Sequence, residues 1–316
     1  MRTFLVTGAA GFIGSHIAEA LVQRGDQVRI LDNLSTGHLS NMDSFRDRVE
    51  FVEGDLNDAE TVKKVVEGVD GIFHEAALAS VPRSVKIPLD THAHCVTGTV
   101  TLLHHARLAG VKRLVYAASS SAYGDQPTSS KRESDLPLPI SPYGAAKLAA
   151  EYYCRAFTAT YGFETISLRY FNVFGPRQDP DSPYAAVIPN FITAILKGKQ
   201  PTIYGDGLQS RDFTFVGNVV HANLLAMDAP AEATGRVFNC ANGRTTDLLT
   251  LLAAINKQLG TDTKPIHDDP RVGDVRDSLA DISQARALLG YEPRIDLDEG
   301  LRRSIDYYKA IVANAQ

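Results

Sequence analysis

The chain has 316 residues, 44% of them hydrophobic and 22% charged, with a formal net charge of −5. That is the composition of a globular protein with enough core for one large or two modest domains. No run of like charges approaches a nucleic-acid patch and no apolar stretch has transmembrane length, so neither nucleic acid nor a membrane is expected as a partner.

In chain order, "TFLVTG" (3–8) reads as a strand and "FIGSHIAEALVQRG" (12–25) as a helix stopped by Gly25. The apolar start therefore reads as a strand and a glycine turn rather than a signal peptide. "QVRILD" (27–32), "VEFVEGD" (49–55), "GIFHEA" (71–76) and "RLVYAAS" (113–119) are further strands, rich in Val, Ile, Phe or Tyr. Helices are predicted between them over 58–68, with Asn57 and Glu60 as a capping box, and over 90–110. This alternation of continuous apolar strands with helices predicts an α/β fold with a doubly wound parallel sheet over residues 1–172.

Past 172 the rhythm breaks into a proline-rich loop (175–183) and a turn-rich stretch with a strand (204–216). Helices follow at about 184–198, 217–228, 247–259 and 298–312. Residues 173–316 read as mainly a second, smaller α/β substrate domain. One strand near 235–241 is expected to return to the first sheet.

Cys95, Cys154 and Cys240 are widely spaced and odd in number, which gives no disulfide framework or metal spacing and fits a reducing cytoplasm. His92, His94, His104 and His105 fall in one region without acidic or cysteine partners at ligand spacing, so no metal is expected.

Two stretches carry chemistry. "TGAAGFIG" spaces Gly8, Gly11 and Gly14 between the first strand and the first helix. Such a turn brings backbone N–H groups and a helix N-terminus against a pyrophosphate. Asp32 ends the second strand, where a carboxylate accepts ribose hydroxyls and repels a 2′-phosphate, so NAD is favoured over NADP. Glycine spacing alone is weak evidence; the strand–turn–helix context and Asp32 make it strong.

The second stretch is "SPYGAAK" (141–147), with Ser141 as a helix cap, Pro142 in the first turn, and Tyr143 and Lys147 at i and i+4. Such a pair is ordinarily only an exposed helix face. Lowering a phenol from a pKa of about 10 to ~7 takes about 4 kcal/mol of electrostatic help, which an ammonium and a nicotinamide cation together could supply. Ser119, Ser120 and Ser121 follow the fifth strand, at the edge where doubly wound folds bind ligands. A hydroxyl there could bond the same substrate oxygen as the phenol.

With these features in one chain, the sequence resembles the UDP-sugar 4-epimerases of the extended short-chain dehydrogenase/reductase superfamily, and within them the UDP-N-acetylglucosamine branch. The likeness covers essentially the whole chain through "TGAAGFIG", "DNLSTG", "HEAA", "SSSAYG", "SPYGAAK", "RYFNVFGPRQ", "GDGLQSRDF" and "RVGDVRDSLAD". The resemblance implies a Rossmann domain and a homodimer built from the helices at about 90–110 and 142–161. It assigns proton chemistry to Tyr143, Lys147 and Ser119, with Ser120 and Ser121 in support. It assigns NAD to Gly8, Gly11, Phe12, Ile13, Gly14, Asp32, Asn33, Ser35, Thr36 and Gly37. Asp55 and Leu56 are implied at the adenine, Ala76, Ala77 and Ala79 at the nicotinamide, and Tyr170 also at the cofactor.

For a UDP-sugar it implies Arg211, Arg271 and Asn172 at the diphosphate or ribose, with Asp274 on the ribose hydroxyls. Ala186, Val187, Thr202 and Tyr204 would flank the uracil. The resemblance also implies that Ser278 borders the pocket for the C2 substituent, where a serine would leave room for an N-acetyl group without excluding a smaller one. The chain departs from the family at Cys95, where relatives usually carry Asn. Serines stand where the related dehydratases carry Thr-Asp-Glu, which argues against dehydration. The open alternatives are a UDP-glucose or UDP-glucuronate 4-epimerase and, in another class, a non-catalytic NAD-binding regulator.

Overall fold

The apolar runs of the first half lie side by side in the computed structural model, which describes residues 1–126, 128, 130–180, 186–269 and 275–314. The strands β1 (Thr3–Thr7), β2 (Gln27–Asp32), β3 (Glu50–Glu53), β4 (Gly71–His74), β5 (Arg113–Ser119) and β6 (Glu164–Tyr170) are joined by helices. These are α1 (Phe12–Arg24), α2 (Ala59–Val65), α3 (Val81–Lys86), α4 (Pro88–His92), α5 (Gly98–Leu108) and α6 (Pro142–Tyr161). Then come β7 (Val173–Phe174), α7 (Val187–Leu196), β8 (Thr202–Tyr204), β9 (Ser210–Arg211), β10 (Thr214–Phe215), α8 (Val216–Met227) and β11 (Arg236–Cys240). The chain closes with β12 (Thr246–Asp247), α9 (Leu248–Leu259), β13 (Ile266–Asp268), β14 (Asp277–Ser278), α10 (Ser283–Leu289) and α11 (Leu297–Asn314).

The large sheet is parallel throughout, in the order β11-β6-β5-β4-β1-β2-β3. Its strands read as continuous apolar runs because both faces are covered. Leu5, Ile72 and Leu114 face α2, α5 and α6 on one side. Val6, Phe73, Val115 and Leu168 pack with Ile17 of α1 and Val219 of α8 on the other. The strand order reverses between β1 and β4, which opens a crevice at their carboxyl ends.

A separate core of Phe174, Phe191, Ile192, Phe215, Leu251, Leu301 and Tyr308 builds the second lobe around α7, α9 and α11. The loop after β7 docks on α1: Arg177 pairs with Glu19 at 2.6 Å, and the Pro176 carbonyl lies 2.9 Å from His16 Nε2. Among the described residues no helix is long and apolar enough to cross a membrane.

Several local expectations are corrected. Asp58, not Asn57, caps α2, accepting from the Glu60 N–H at 3.1 Å; the Asn57 amide is held by Asp55 at 2.8 Å. The helix expected over 90–110 is broken by a π-helical turn at Ala93–Thr97. The strand β6 escaped notice because Ser167 and Arg169 interrupt "ETISLRY"; both are buried, and Arg169 forms two hydrogen bonds with Glu151 at 2.9 and 2.7 Å. The seven-residue α10 is too short to show a helical period.

Candidate active site

The turn after β1 is a cradle that side chains would fill. Gly8 has φ +72°, and a Cβ there would lie 2.7 Å from the Ala76 backbone. A Cβ on Gly14 would collide with the Gly8 carbonyl, and one on Gly37 would meet Ala10 at 2.8 Å. Gly11 caps α1 without a side-chain hydrogen bond, so the first-turn N–H groups point into the crevice unclaimed by a cap. The side chain of Phe12 packs against the second lobe's core, and that of Ile13 packs against both cores.

At the end of β2 the Asp32 carboxylate accepts from the N–H groups of Ala10 (2.9 Å) and Leu34 (2.8 Å). Burial pushes its pKa up, against the pull of those two hydrogen bonds. Leu34 holds φ +57°, a conformation uncommon for a non-glycine residue. Asn33 accepts from the Ser35 N–H at 3.0 Å and donates to Asp55 at 2.7 Å; Ser35 and Thr36 are exposed. The pKa of Asp55 is pushed up by burial but falls on balance, through hydrogen bonds from Asn57 and Asn33. Leu56 is buried against Gly98.

The Tyr–Lys stretch begins α6. The Ser141 hydroxyl accepts from the Gly144 N–H at 3.1 Å and Pro142 occupies the first turn. A Cβ on Gly144 would lie 2.7 Å from the Ser121 carbonyl, so this glycine lets the helix start approach the serine loop. Ser119 ends β5 beside Tyr143 and accepts from the Ser121 N–H at 3.1 Å. Ser120 and Ser121 are half-buried. Lys147 is buried, with Nζ 4.7 Å from the centre of the Tyr116 ring.

Burial pushes the Tyr143 phenol upward; Cys95 adds to this, while the Ser119 hydrogen bond opposes it. The lowering expected from an ammonium and a nicotinamide cation acting together calls for the cofactor's charge, since in the protein alone burial outweighs the Ser119 interaction at the phenol. Burial lowers the Lys147 pKa, partly offset by Cys95, Glu75 and Cys154.

The π-helical turn carries Cys95 beside this pair. Its carbonyl accepts from the Thr99 hydroxyl at 2.8 Å. Thr99 contacts His74 Nε2 at 2.9 Å, and His74 Nδ1 meets Thr7 at 2.7 Å. Thr99 and His74 thus tie the wide turn to β1. Wide turns of this kind gather at functional sites.

Ala76 and Ala77 are half-buried after β4 and Ala79 is exposed. The Tyr170 hydroxyl, at the end of β6, donates to Glu75 at 2.9 Å and accepts from the Asn223 amide at 2.7 Å. Residue-by-residue reading overlooked Glu75. The available signal was a carboxylate directly after the strand "GIFH" at the carboxyl edge of the sheet.

The second lobe holds the remaining candidates. Parallel pairing of β14 with β9 sets Ser278 opposite Arg211, whose guanidinium donates to the carbonyls of Ser210 (2.8 Å) and Arg276 (3.1 Å). Asn172 is exposed, as are Ala186 at the start of α7 and Thr202 on β8; Val187 and Tyr204 are half-buried. Arg271 and Asp274 lie outside the described residues. Asp212, also overlooked, is fully buried and accepts from the N–H groups of Asn242 (2.9 Å), Gly243 (3.0 Å) and Ala280 (3.3 Å).

A glycine cradle at the switch point, a carboxylate ending β2 and a Ser–Tyr–Lys cluster at the same sheet edge define a dinucleotide-binding α/β enzyme. The chain belongs to the NAD dependent epimerase/dehydratase family, whose model it matches over residues 4–241, and it is NAD-dependent. It is 40% identical to a UDP-glucose 4-epimerase of Mycolicibacterium smegmatis, over 98% of this chain and 99% of that one. Among solved structures it resembles a UDP-N-acetylglucosamine 4-epimerase of Methanobrevibacter ruminantium in complex with UDP-N-acetylmuramic acid. That likeness has TM-score 0.94 and 40% identity over 98% and 99% of the two chains. It also resembles a UDP-glucuronic acid 4-epimerase of Bacillus cereus bound to UDP-glucuronic acid and NAD, with TM-score 0.91 and 30% identity over 98% and 99%.

Proposed function

We propose that the protein interconverts UDP-N-acetylglucosamine and UDP-N-acetylgalactosamine at C4 through a 4-keto sugar, with UDP-glucose and UDP-galactose as further substrates. The broader class, an NAD-dependent UDP-sugar 4-epimerase, is carried by family membership and by relatives aligned over nearly their whole length. The finer reading is supported by one observation: the residue paired in register with Arg211 is the small Ser278, whose size would admit a C2 acetamido group beside that anchor.

The residues of the chain divide the work. The glycine turn and the N-terminus of α1 hold a pyrophosphate, and Asp32 accepts the adenosine ribose hydroxyls. NAD, when bound, takes up and returns the C4 hydride. Tyr143 takes the 4-hydroxyl proton as phenolate and gives it back, Ser119 orients the same oxygen, and Lys147 supplies positive charge beside both. The phenol starts well above its ordinary pKa, so its activation calls on charge beyond the chain's own. Arg211 and Asn172 would retain the UDP while the keto sugar turns its other face.

We read the functional unit as a homodimer. Leu108 of α5 and Tyr152, Tyr153 and Tyr161 of α6 are large exposed side chains on the two helices concerned. Light scattering should give about twice the 34.3 kDa chain mass.

The deciding experiment is NMR of purified protein offered UDP-GlcNAc, UDP-glucose and UDP-glucuronate separately. Conversion of UDP-GlcNAc supports the finer reading. Conversion of UDP-glucose or UDP-glucuronate alone keeps the class and overturns the pocket argument. No conversion of any of the three, with NAD added, overturns the class.

A further inference from the structure

A cleft of about 430 Å³ opens on the flank of the large sheet, between α6, the loop before it, β11 and α10. That volume is in the range of small-molecule sites. None of the residues assigned above to NAD or to a UDP-sugar lines it. Its Glu151 lies on the same helix as Tyr143 but roughly 12 Å further along the axis.

Two carboxylates line the cleft, and both are engaged. Glu151 accepts two hydrogen bonds from Arg169, at 2.9 and 2.7 Å. Glu133 accepts from the Asn239 N–H at 2.7 Å. Two guanidiniums line it as well, Arg155 from α6 and Arg236 from β11. The side chain of neither makes a hydrogen bond or an ion pair among the described residues. Arg169 stands behind Glu151, on the same face of β6 as Ser167, which lines the cleft. Arg169 is only 1% exposed, yet its Nη1 has no hydrogen-bond partner. Arg155, Arg169 and Arg236 outnumber the two carboxylates, so the surplus charge at the cleft is positive.

The backbone adds a donor. β11 is the outermost strand of its sheet, so one of its edges is unpaired. The Cys240 carbonyl faces β6, accepting from the Phe171 N–H at 3.1 Å, and the Asn239 N–H faces the open edge, where Glu133 takes it. Strand alternation turns the Val237 N–H the same way, towards the cleft that Val237 lines.

We propose that this cleft is a second binding site, for a small molecule that carries a phosphate or carboxylate group. Arg155 and Arg236 hold the oxyanion from two different elements, with planar forks matched to such groups, and the Val237 N–H donates from the strand edge. The engaged carboxylates leave the ligand's charge to the two free guanidiniums. The site is separate from the one proposed for the UDP-sugar and does not depend on the epimerase reading.

The test uses the holoenzyme saturated with NAD and UDP, so that the phosphate sites proposed above are already filled. Isothermal titration calorimetry follows the binding of inorganic phosphate, glucose 6-phosphate and citrate at constant ionic strength. At least one of the three should saturate at one site per chain. Arg155→Gln and Arg236→Gln should each weaken that binding roughly tenfold, and the double variant should abolish it. Both arginines are exposed, so thermal melts of the variants should match the wild type. Arg155→Lys and Arg236→Lys keep the charge and lose the fork, so they should bind more weakly than the wild type even where a Gln variant fails to fold. Tightest binding of glucose 6-phosphate identifies a phosphate ester, of citrate a polycarboxylate, and of inorganic phosphate the free anion. Heats that fail to saturate for all three at millimolar concentration would overturn the proposal. So would saturable binding that the double variant retains, or heats that sodium chloride reproduces at matched ionic strength.

Discussion

The two ends of the proposed substrate are met by very different architecture. At the edge of the large sheet the groups proposed to react sit on long elements: Ser119 ends a seven-residue strand, and Tyr143 and Lys147 open a twenty-residue helix. In the second lobe Arg211 and Ser278 sit on strands of two residues each. The first arrangement fixes oxygen and nitrogen positions through buried packing on both faces of a sheet. The second holds its backbone largely by side-chain contacts, such as Ser210 to Asp277 at 2.6 Å and the buried Asp212 carboxylate. Chemistry common to many sugars belongs on the rigid edge. Sugar preference belongs where one small side chain can change without disturbing a sheet.

If that division is right, the largest effect comes from the sheet edge. Tyr143→Phe should lower kcat by roughly 10³-fold or more while NAD stays bound, because it removes the proton carrier and little volume. Retained turnover in an NMR assay would place the proton chemistry elsewhere. Next comes Gly8→Val, which forces a side chain into a left-handed backbone position 2.7 Å from Ala76. The expected cost is about 1–3 kcal/mol of stability together with loss of copurifying NAD. Thermal melts and the absorbance of released cofactor check the two parts.

Ser278→Tyr probes the other region. It should cut kcat/KM for the acetylated sugars at least tenfold and spare UDP-glucose within a few-fold, an effect of about 1–3 kcal/mol on one pocket. Equal losses for both sugars would remove Ser278 from the specificity argument.

The smallest effect concerns how the second lobe is held. Burial pushes the Asp212 carboxyl up to about 6 against several backbone hydrogen bonds. A folded-state pKa above the unfolded value means the native state binds the extra proton, so this group's stabilisation is greatest at low pH. It is lost as pH rises from about 4 to about 6. Asp212→Asn should destabilise the protein more at pH 4.5 than at pH 7.5. Urea melts at the two values measure the difference, and a gap that widens with pH would contradict the assignment.

Much of the sheet edge was legible because its signals are local. The glycines precede a helix after an apolar strand, Asp32 closes the next strand, and Ser141 and Pro142 announce the helix that carries Tyr143 and Lys147. Each is a short-range consequence of backbone sterics or capping. β6 was hidden because its polar residues find partners far along the chain, as Arg169 does with Glu151. Arg211 and Ser278 are 67 positions apart, and no period or spacing brings them together.

The alternation of strands and helices, the glycine turn and the i, i+4 placement of the Tyr–Lys pair follow from local residue patterns, since helix geometry puts such residues on one face. That Glu75, Tyr170 and Asn223 form one hydrogen-bonded chain, and that Ser278 stands opposite Arg211, follows from the folded arrangement alone. Those contacts join two strand ends and the middle of α8 in one case and two short strands in the other. Long-range packing, rather than local conformational preference, sets their distances and raises the Tyr143 and Glu75 pKa values through desolvation.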